Sequence, residues 1–233
     1  MAENLPLVLV PGLLCSARLY APQIAALWPH GPVIVADHRH DADMSAIAQR
    51  ILTVAPPRFA LAGLSMGGYI AFAMMRKAPE RIARLALLDT SARPDTPEQK
   101  AVRGELITMA QSGRLAEVVE TLAPRFLHPT RGNDTTLRQT IRDMMEDTGV
   151  DAFVRQERAI MSRPDSRPLL AAITCPTLVL VGDADELTPP DLAKEIAGGI
   201  SGARLVVVPD CGHLSTLERP QPVNAALAAW LEQ

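Results

Sequence analysis

Aromatic side chains are scarce in this chain, at 3% of 233 residues, so a pocket built as a stacked aromatic cage is not expected. Cysteine is scarcer still. Cys15, Cys175 and Cys211 are odd in number, and their spacing suits neither a disulfide framework nor a zinc site. Basic residues show no excess. With 23 Lys and Arg against 26 Asp and Glu, the net charge of −3 gives no general attraction to nucleic acid or anionic lipid. No apolar run approaches the roughly 18 residues that a membrane-spanning helix needs. The start carries acidic Glu3, and its apolar run stops at Pro11-Gly12, which is unlike a secretory signal. Internal repeats and low-complexity tracts are also missing. These absences leave a cytoplasmic, reduced enzyme or binding domain with free thiols and one sizeable core, expected as a monomer or homodimer.

What is present alternates. Six short aliphatic runs read as buried strands: Leu5–Val10, Pro32–Ala36, Phe59–Ala62, Leu85–Leu88, Thr177–Val181 and Arg204–Val208. Continuous apolar runs of this kind mark strands covered on both faces, as in a parallel sheet shielded by helices. Between them, Ala21–Trp28, Met44–Ala55, Gly68–Lys77, Pro190–Gly198 and Pro222–Leu231 place apolar residues at helical spacing. The expectation is an α/β three-layer sandwich on a mainly parallel sheet of about six strands. Residues 92–173 interrupt the alternation with helical stretches only, near Pro97–Gln111, Leu115–Phe126, Asp134–Glu146 and Val150–Met161, and a shorter piece at Ser166–Ala172. Inserted between two parallel strands, they would sit over the C-terminal edge of the sheet, where ligands bind in open α/β folds. Residues 1–91 and 174–233 are thus read as the core and 92–173 as a helical cap.

The most informative segment is Gly63-Leu64-Ser65-Met66-Gly67, preceded by a strand and followed at once by a helix. A nucleophile on so tight a strand-to-helix turn needs glycine on both sides, because side chains there would meet neighbouring backbone. A serine hydroxyl also needs a base to take its proton and an acid to orient that base. Of five histidines, His213 alone follows the last strand and precedes the last helix. His30 lies on the opposite edge of the sheet, and His128 lies in the cap. For the acid, Asp183, Asp185 and Glu186 all follow the fifth strand, and Asp89 follows the fourth; position leaves the choice open. His38 and His40 with Asp41 superficially suggest a metal site. An i, i+2 pair beside one Asp reads as a solvated loop, and no metal is expected.

These segments together resemble the α/β-hydrolase superfamily, specifically its small cap-bearing serine esterases and hydrolases. The matching pieces are Leu7–Leu14, Gly63–Gly68, Gly182-Asp-Ala-Asp185 with Pro189, and Cys211-Gly-His213 followed by Glu218-Arg-Pro220. The resemblance implies a catalytic triad of Ser65, Asp185 and His213, with Asp185 selected as the fourth residue of a Gly-x-x-Asp turn. It also implies an oxyanion hole from the backbone N–H groups of Leu13 and Met66, and hydrolysis of a small-molecule ester or related acyl compound without a cofactor. Pro11-Gly12 replaces the family's usual His-Gly, the loop after Ala36 lacks the usual glycine-rich turn, and the first two strands of the family are not expected. Rival substrates in such a site are thioesters, lactones and carbon–carbon bonds. A carboxylate-bearing substrate would require an inward arginine such as Arg125, Arg155 or Arg158. A ligand receptor that keeps the triad is the rival from another class. Met109, Met144, Met145 and Met161 are expected to be helix-packing core rather than pocket wall.

Overall fold

The computed structural model describes residues 4–233, so Glu3 lies outside the described residues. Strands β1 (Leu7–Val10), β2 (Val33–Val35), β3 (Phe59–Leu64), β4 (Ile82–Leu88), β5 (Thr177–Gly182) and β6 (Arg204–Val208) form one sheet in the order β2-β1-β3-β4-β5-β6. All neighbours are parallel. The helices are α1 (Ala21–Leu27), α2 (Met44–Val54), α3 (Met66–Lys77), α4 (Pro97–Gln111), α5 (Leu115–Phe126), α6 (Thr135–Ser162), α7 (Pro190–Gly199), α8 (Ser215–Glu218) and α9 (Pro220–Leu231). This is the expected α/β sandwich with six strands.

Alternation along each strand divides the core in two. Leu7 and Leu9, Ala60, Ala62 and Leu64, and Leu178 and Leu180 face one side, where α1, α9 and the insertion pack. Val8 and Val10, Phe59 and Leu61, and Val179 and Val181 face the other, against α2, α3 and α7. The period of two along a strand sends neighbours to opposite faces, and both faces here are apolar because both are covered. Cutting fully buried Leu61 to alanine would cost about 2–5 kcal/mol in lost transfer energy and cavity.

Residues 92–173 contain α4, α5, α6 and two short 3-10 turns, Pro129–Arg131 and Arg167–Ala172. Thr96 caps α4 with a reciprocal pair to Gln99, and Pro97 occupies the first turn, where its missing N–H costs nothing. The two helices expected at Asp134–Glu146 and Val150–Met161 run as one element with a break at Gly149, whose φ of 72° and ψ of 169° no helix accommodates. Helix α3 begins at Met66, two residues before the sequence pattern, because the serine turn itself starts the helix and its glycines hide the apolar period. No helix among the described residues is long and apolar enough to cross a membrane. Strand order reverses between β1 and β3, and at such a switch point the loops after the two strands part to leave a crevice. Gly12 and Leu13 follow β1, Ser65 follows β3, and all three line a cavity of about 440 Å³.

Candidate active site

From Phe59 to Met75 every residue is buried except Ser65, which is half-buried at the end of β3. Its φ of 56° and ψ of −114° are strained for a side-chain-bearing residue. Sterics explain the flanking glycines. A Cβ on Gly63 would run into the backbone of Gly67, and one on Gly67 into Val10 O, in each case closer than real Cβ contacts allow. The turn is fastened by Ser65 N–H donating to Leu88 O at 2.9 Å and by Thr90 Oγ1 donating to Ser65 O at 2.8 Å.

His213 lines the same cavity and is otherwise buried. Its Nδ1 stands 2.8 Å from Asp185 Oδ2, and Phe126 stacks on the ring with centroids 6.2 Å apart. Asp185 is buried and further held by N–H groups of Leu187 and Thr188, both 2.9 Å from Oδ1, and by Thr188 Oγ1 donating to Oδ2 at 2.6 Å. Burial works against both charged forms. The mutual attraction and hydrogen bond outweigh it, leaving the His213 pKa raised and that of Asp185 lowered. With Nδ1 engaged by Asp185, Nε2 is the ring nitrogen left for the cavity that His213 lines.

The other acids lie elsewhere. Asp183 accepts from Cys211 N–H at 3.0 Å, and Glu186 is exposed. Asp89 is fully buried behind the pair, accepting from Gly182 N–H at 2.9 Å and from Ser215 Oγ. Burial, reinforced by the Asp185 charge, pushes its pKa well above the ordinary carboxylate value. Asp89 therefore props the strand ends through these two bonds, while Asp185 is the carboxylate that meets His213.

Among the described hydrogen bonds, neither Leu13 N–H nor Met66 N–H has an acceptor. Both belong to backbone that borders Ser65, which suits binding of negative charge developing there. The wall opposite is ionic. Arg103 bridges Asp95 and Glu157 at 2.7 Å each, and Arg163 pairs with Asp95 at 2.8 Å while its guanidinium lies 4.1 Å over the Tyr69 ring. These charges balance one another. The sequence reading missed this wall, since nothing in local spacing links residue 95 to residue 157.

The expectation about His38 needs correcting. His38 is not in a solvated loop; it is buried against Gly12 O, while exposed His40 pairs with Asp37. No metal-holding group of three His, Cys, Asp or Glu occurs among the described residues. All three cysteines are free, and burial raises the Cys15 pKa to about 12 despite a Gly12 hydrogen bond, which disfavours the thiolate. Met144 is buried core, Met109 and Met145 pack against that core, and half-buried Met161 belongs to neither core cluster; among the described residues no methionine lines the 440 Å³ cavity.

A parallel sheet whose switch point carries a serine on a strained turn, beside a His–Asp pair, defines a hydrolase class. The chain belongs to the alpha/beta hydrolase family, whose sequence pattern matches residues 7–226. It is similar to a thermophilic esterase from Thermogutta terrifontis, solved with malate bound, at 34% identity and a TM-score of 0.91, covering 98% of this chain and 91% of that one. The enol-lactonase of Burkholderia xenovorans LB400 is 27% identical with a TM-score of 0.88, covering 99% and 92%. A pimeloyl-[acyl-carrier protein] methyl ester esterase of Neisseria meningitidis is 26% identical over 91% of this chain and 85% of its own length. The protein is accordingly an alpha/beta hydrolase enzyme.

Proposed function

We propose that this hydrolase cleaves carboxylic esters of small molecules through an acyl-enzyme on Ser65. His213 Nε2 takes the Ser65 proton as Oγ attacks the ester carbonyl carbon. Asp185 holds the imidazole and stabilises its cation. The oxyanion of the tetrahedral intermediate accepts from the Leu13 and Met66 N–H groups. Collapse expels the alcohol, which receives its proton from His213, and water then attacks the acyl-enzyme with His213 again as base. No cofactor enters any step. The observation that carries this reading is the 2.8 Å His213–Asp185 contact in the same cavity as the raised Ser65. The esterases and the enol-lactonase among the similar proteins support acyl–oxygen cleavage as the reaction.

In this proposal residues 92–173 form the cap over a core of 1–91 and 174–233, and the enzyme works in a reducing cytoplasm. Hydrolysis of p-nitrophenyl esters by the wild type and by Ser65→Ala tests it. Release that falls by several orders of magnitude in Ser65→Ala supports the reading. Wild-type turnover staying far below about 1 per second across acyl lengths would favour a ligand receptor instead.

A second reading, that the ester bears a carboxylate, is favoured by Arg125. This arginine lines the cavity, and no ion pair to it is found among the described residues. Arg155 instead donates to Arg39 O, and Arg158 lies outside the lining. A preference for a hemisuccinate aryl ester over its neutral methyl-ester analogue, lost in Arg125→Ala, would establish it; equal rates would dismiss it.

A further inference from the structure

Leu13 N–H can stabilise an oxyanion only if the loop after β1 is held in one orientation. The fastening comes from two buried side chains that no local motif announces. Gln156, on the second half of α6, is fully buried, and its Oε1 accepts from Leu14 N–H at 3.1 Å. His38, after β2, is 2% exposed, and its Nε2 lies 2.9 Å from Gly12 O. The same ring nitrogen stands 3.0 Å from Gln156 Nε2; with its proton directed at Gly12 O it cannot also accept from that amide, so the two side chains touch here without a hydrogen bond and each grips the loop on its own. Cys15 completes the fastening, its N–H donating to Gly12 O at 3.2 Å and its Sγ to Leu13 O at 3.3 Å.

A trans peptide points its carbonyl and its N–H to opposite sides, and no cis bond occurs among the described residues. In its Nε2–H tautomer, His38 pins Gly12 O on the side away from the cavity. The N–H of the same peptide unit, that of Leu13, is then turned toward the cavity. Gln156 pins the following unit through Leu14 N–H and keeps Leu14 at a φ of 58°. That conformation costs an L-residue of order 1–3 kcal/mol and persists only where its surroundings impose it.

We propose that Gln156 and His38 are positioning residues that aim the Leu13 N–H at the oxyanion by gripping its own peptide unit and the one that follows, so that seating of the cap sets transition-state stabilisation. The inference rests on the serine-hydrolase reading above. His38 suits the task because burial lowers its pKa to about 4, which keeps the ring neutral at working pH. Ground-state binding needs no oxyanion donor, so the grip acts on turnover and leaves substrate affinity alone.

The test compares wild type with Gln156→Met, of similar length but without the amide. The readouts are p-nitrophenyl butyrate kinetics, inhibition by phenylboronic acid, which forms a tetrahedral adduct on serine, and the rate of Ser65 labelling by a fluorophosphonate. The expected result is a kcat lower by about 10- to 100-fold with KM unchanged within about twofold. Boronate affinity and labelling rate should fall in step with kcat. Gln156→Glu, which keeps an acceptor for Leu14 N–H, should recover part of each. A folded Gln156→Met with unchanged kcat and boronate affinity overturns the proposal, as does a raised KM at unchanged kcat. Should Gln156→Met fail to fold, His38→Leu, which removes the other grip, carries the same comparison with the same expectations. Failure of the wild type to label at Ser65 would instead bring down the serine-hydrolase reading, and this inference with it.

Discussion

Ser65 and Leu14 sit on backbone that side-chain-bearing residues rarely adopt, with φ of 56° and 58°, yet different parts of the molecule hold them there. Ser65 is fastened by the sheet. Its N–H and carbonyl bond to Leu88 and Thr90 at the end of the neighbouring strand, and glycines at 63 and 67 clear the space. Leu14 is fastened by Gln156, 142 residues away on the helical insertion. The loop carrying His213 resembles Leu14 in this respect. Its His213 and Leu214 N–H groups donate to Phe126 O at 3.0 Å, and Glu218 accepts from both Gly212 N–H and His128 N–H. The geometry of Ser65 is thus a property of the sheet alone. The loops on either side of it take their final shape from the insertion packed over them.

The sharpest way to break that contrast is to damage the sheet side. A methyl group on Gly67 would overlap Val10 O in a fully buried turn, where neither backbone can yield. Gly67→Ala is expected to cost several kcal/mol, in the upper range for overpacking, and to abolish turnover. Chemical denaturation and ester hydrolysis measure both. A Gly67→Ala protein with wild-type stability and rate would mean the turn is not as tight as described.

Next in size is the comparison of two buried carboxylates. Asp185→Asn leaves His213 without its charged partner and should lower kcat by about ten-thousand-fold. In Asp89→Asn the amide can still accept from Gly182 N–H, and the Ser215 hydroxyl, which donates to Asp89, can turn to accept from it, so kcat should change less than about tenfold. The reverse ranking would make Asp89 the orienting acid. The pH profile adds a sign. Burial disfavours the His213 cation, but Asp185 more than offsets this and holds the pKa above the ordinary 6.5. The base must be neutral, so wild-type kcat/KM should rise with pH through a midpoint above 6.5. Residual activity of Asp185→Asn should rise at lower pH than that of the wild type, because the charge that raised the pKa is gone.

Glu218 tests the insertion side. Its two carboxylate oxygens tie the base loop to the insertion at 2.9 Å and 2.8 Å. Glu218→Gln turns one of these acceptors into a donor facing an N–H, a mismatch of about 1–3 kcal/mol. Thermal unfolding should register that loss, and a several-fold fall in kcat should accompany it, since His213 N–H shares the loop. Unchanged stability would show that the insertion does not depend on this tie.

The same division governs what could be read in the sequence. The alternation of strands and helices was legible because parallel strands covered on both faces are uniformly apolar, as β3 and β5 are. The serine turn was legible because its sterics act between residues 63 and 67. Asp185 was not separable from Asp183 and Glu186 by position, since all three follow one strand within four residues; a family resemblance singled out the one that meets His213. Gln156, His38 and the Arg103 bridge carried no readable signal. Each has a partner 54 to 142 residues distant, and no periodicity encodes a side chain that points into another loop. His38 was misread for that reason, as a solvated neighbour of His40.

The smallest expected effect sharpens the comparison from the insertion's outer face. Gly104 lies in the middle of α4, and a Cβ there meets nothing within 4 Å. Glycine in a helix interior is about 1 kcal/mol less favourable than alanine, because the unfolded chain gains freedom that folding must remove. Gly104→Ala should therefore raise stability by up to that amount, with no steric cost against it. Its effect on turnover separates two views of the insertion. If the oxyanion and base loops need only the grips of Gln156, Phe126 and Glu218, a stiffer α4 leaves kcat unchanged within about twofold. A clear fall in kcat alongside the gain in stability would mean that α4 must move for turnover, and that the insertion acts as a gate as well as a clamp.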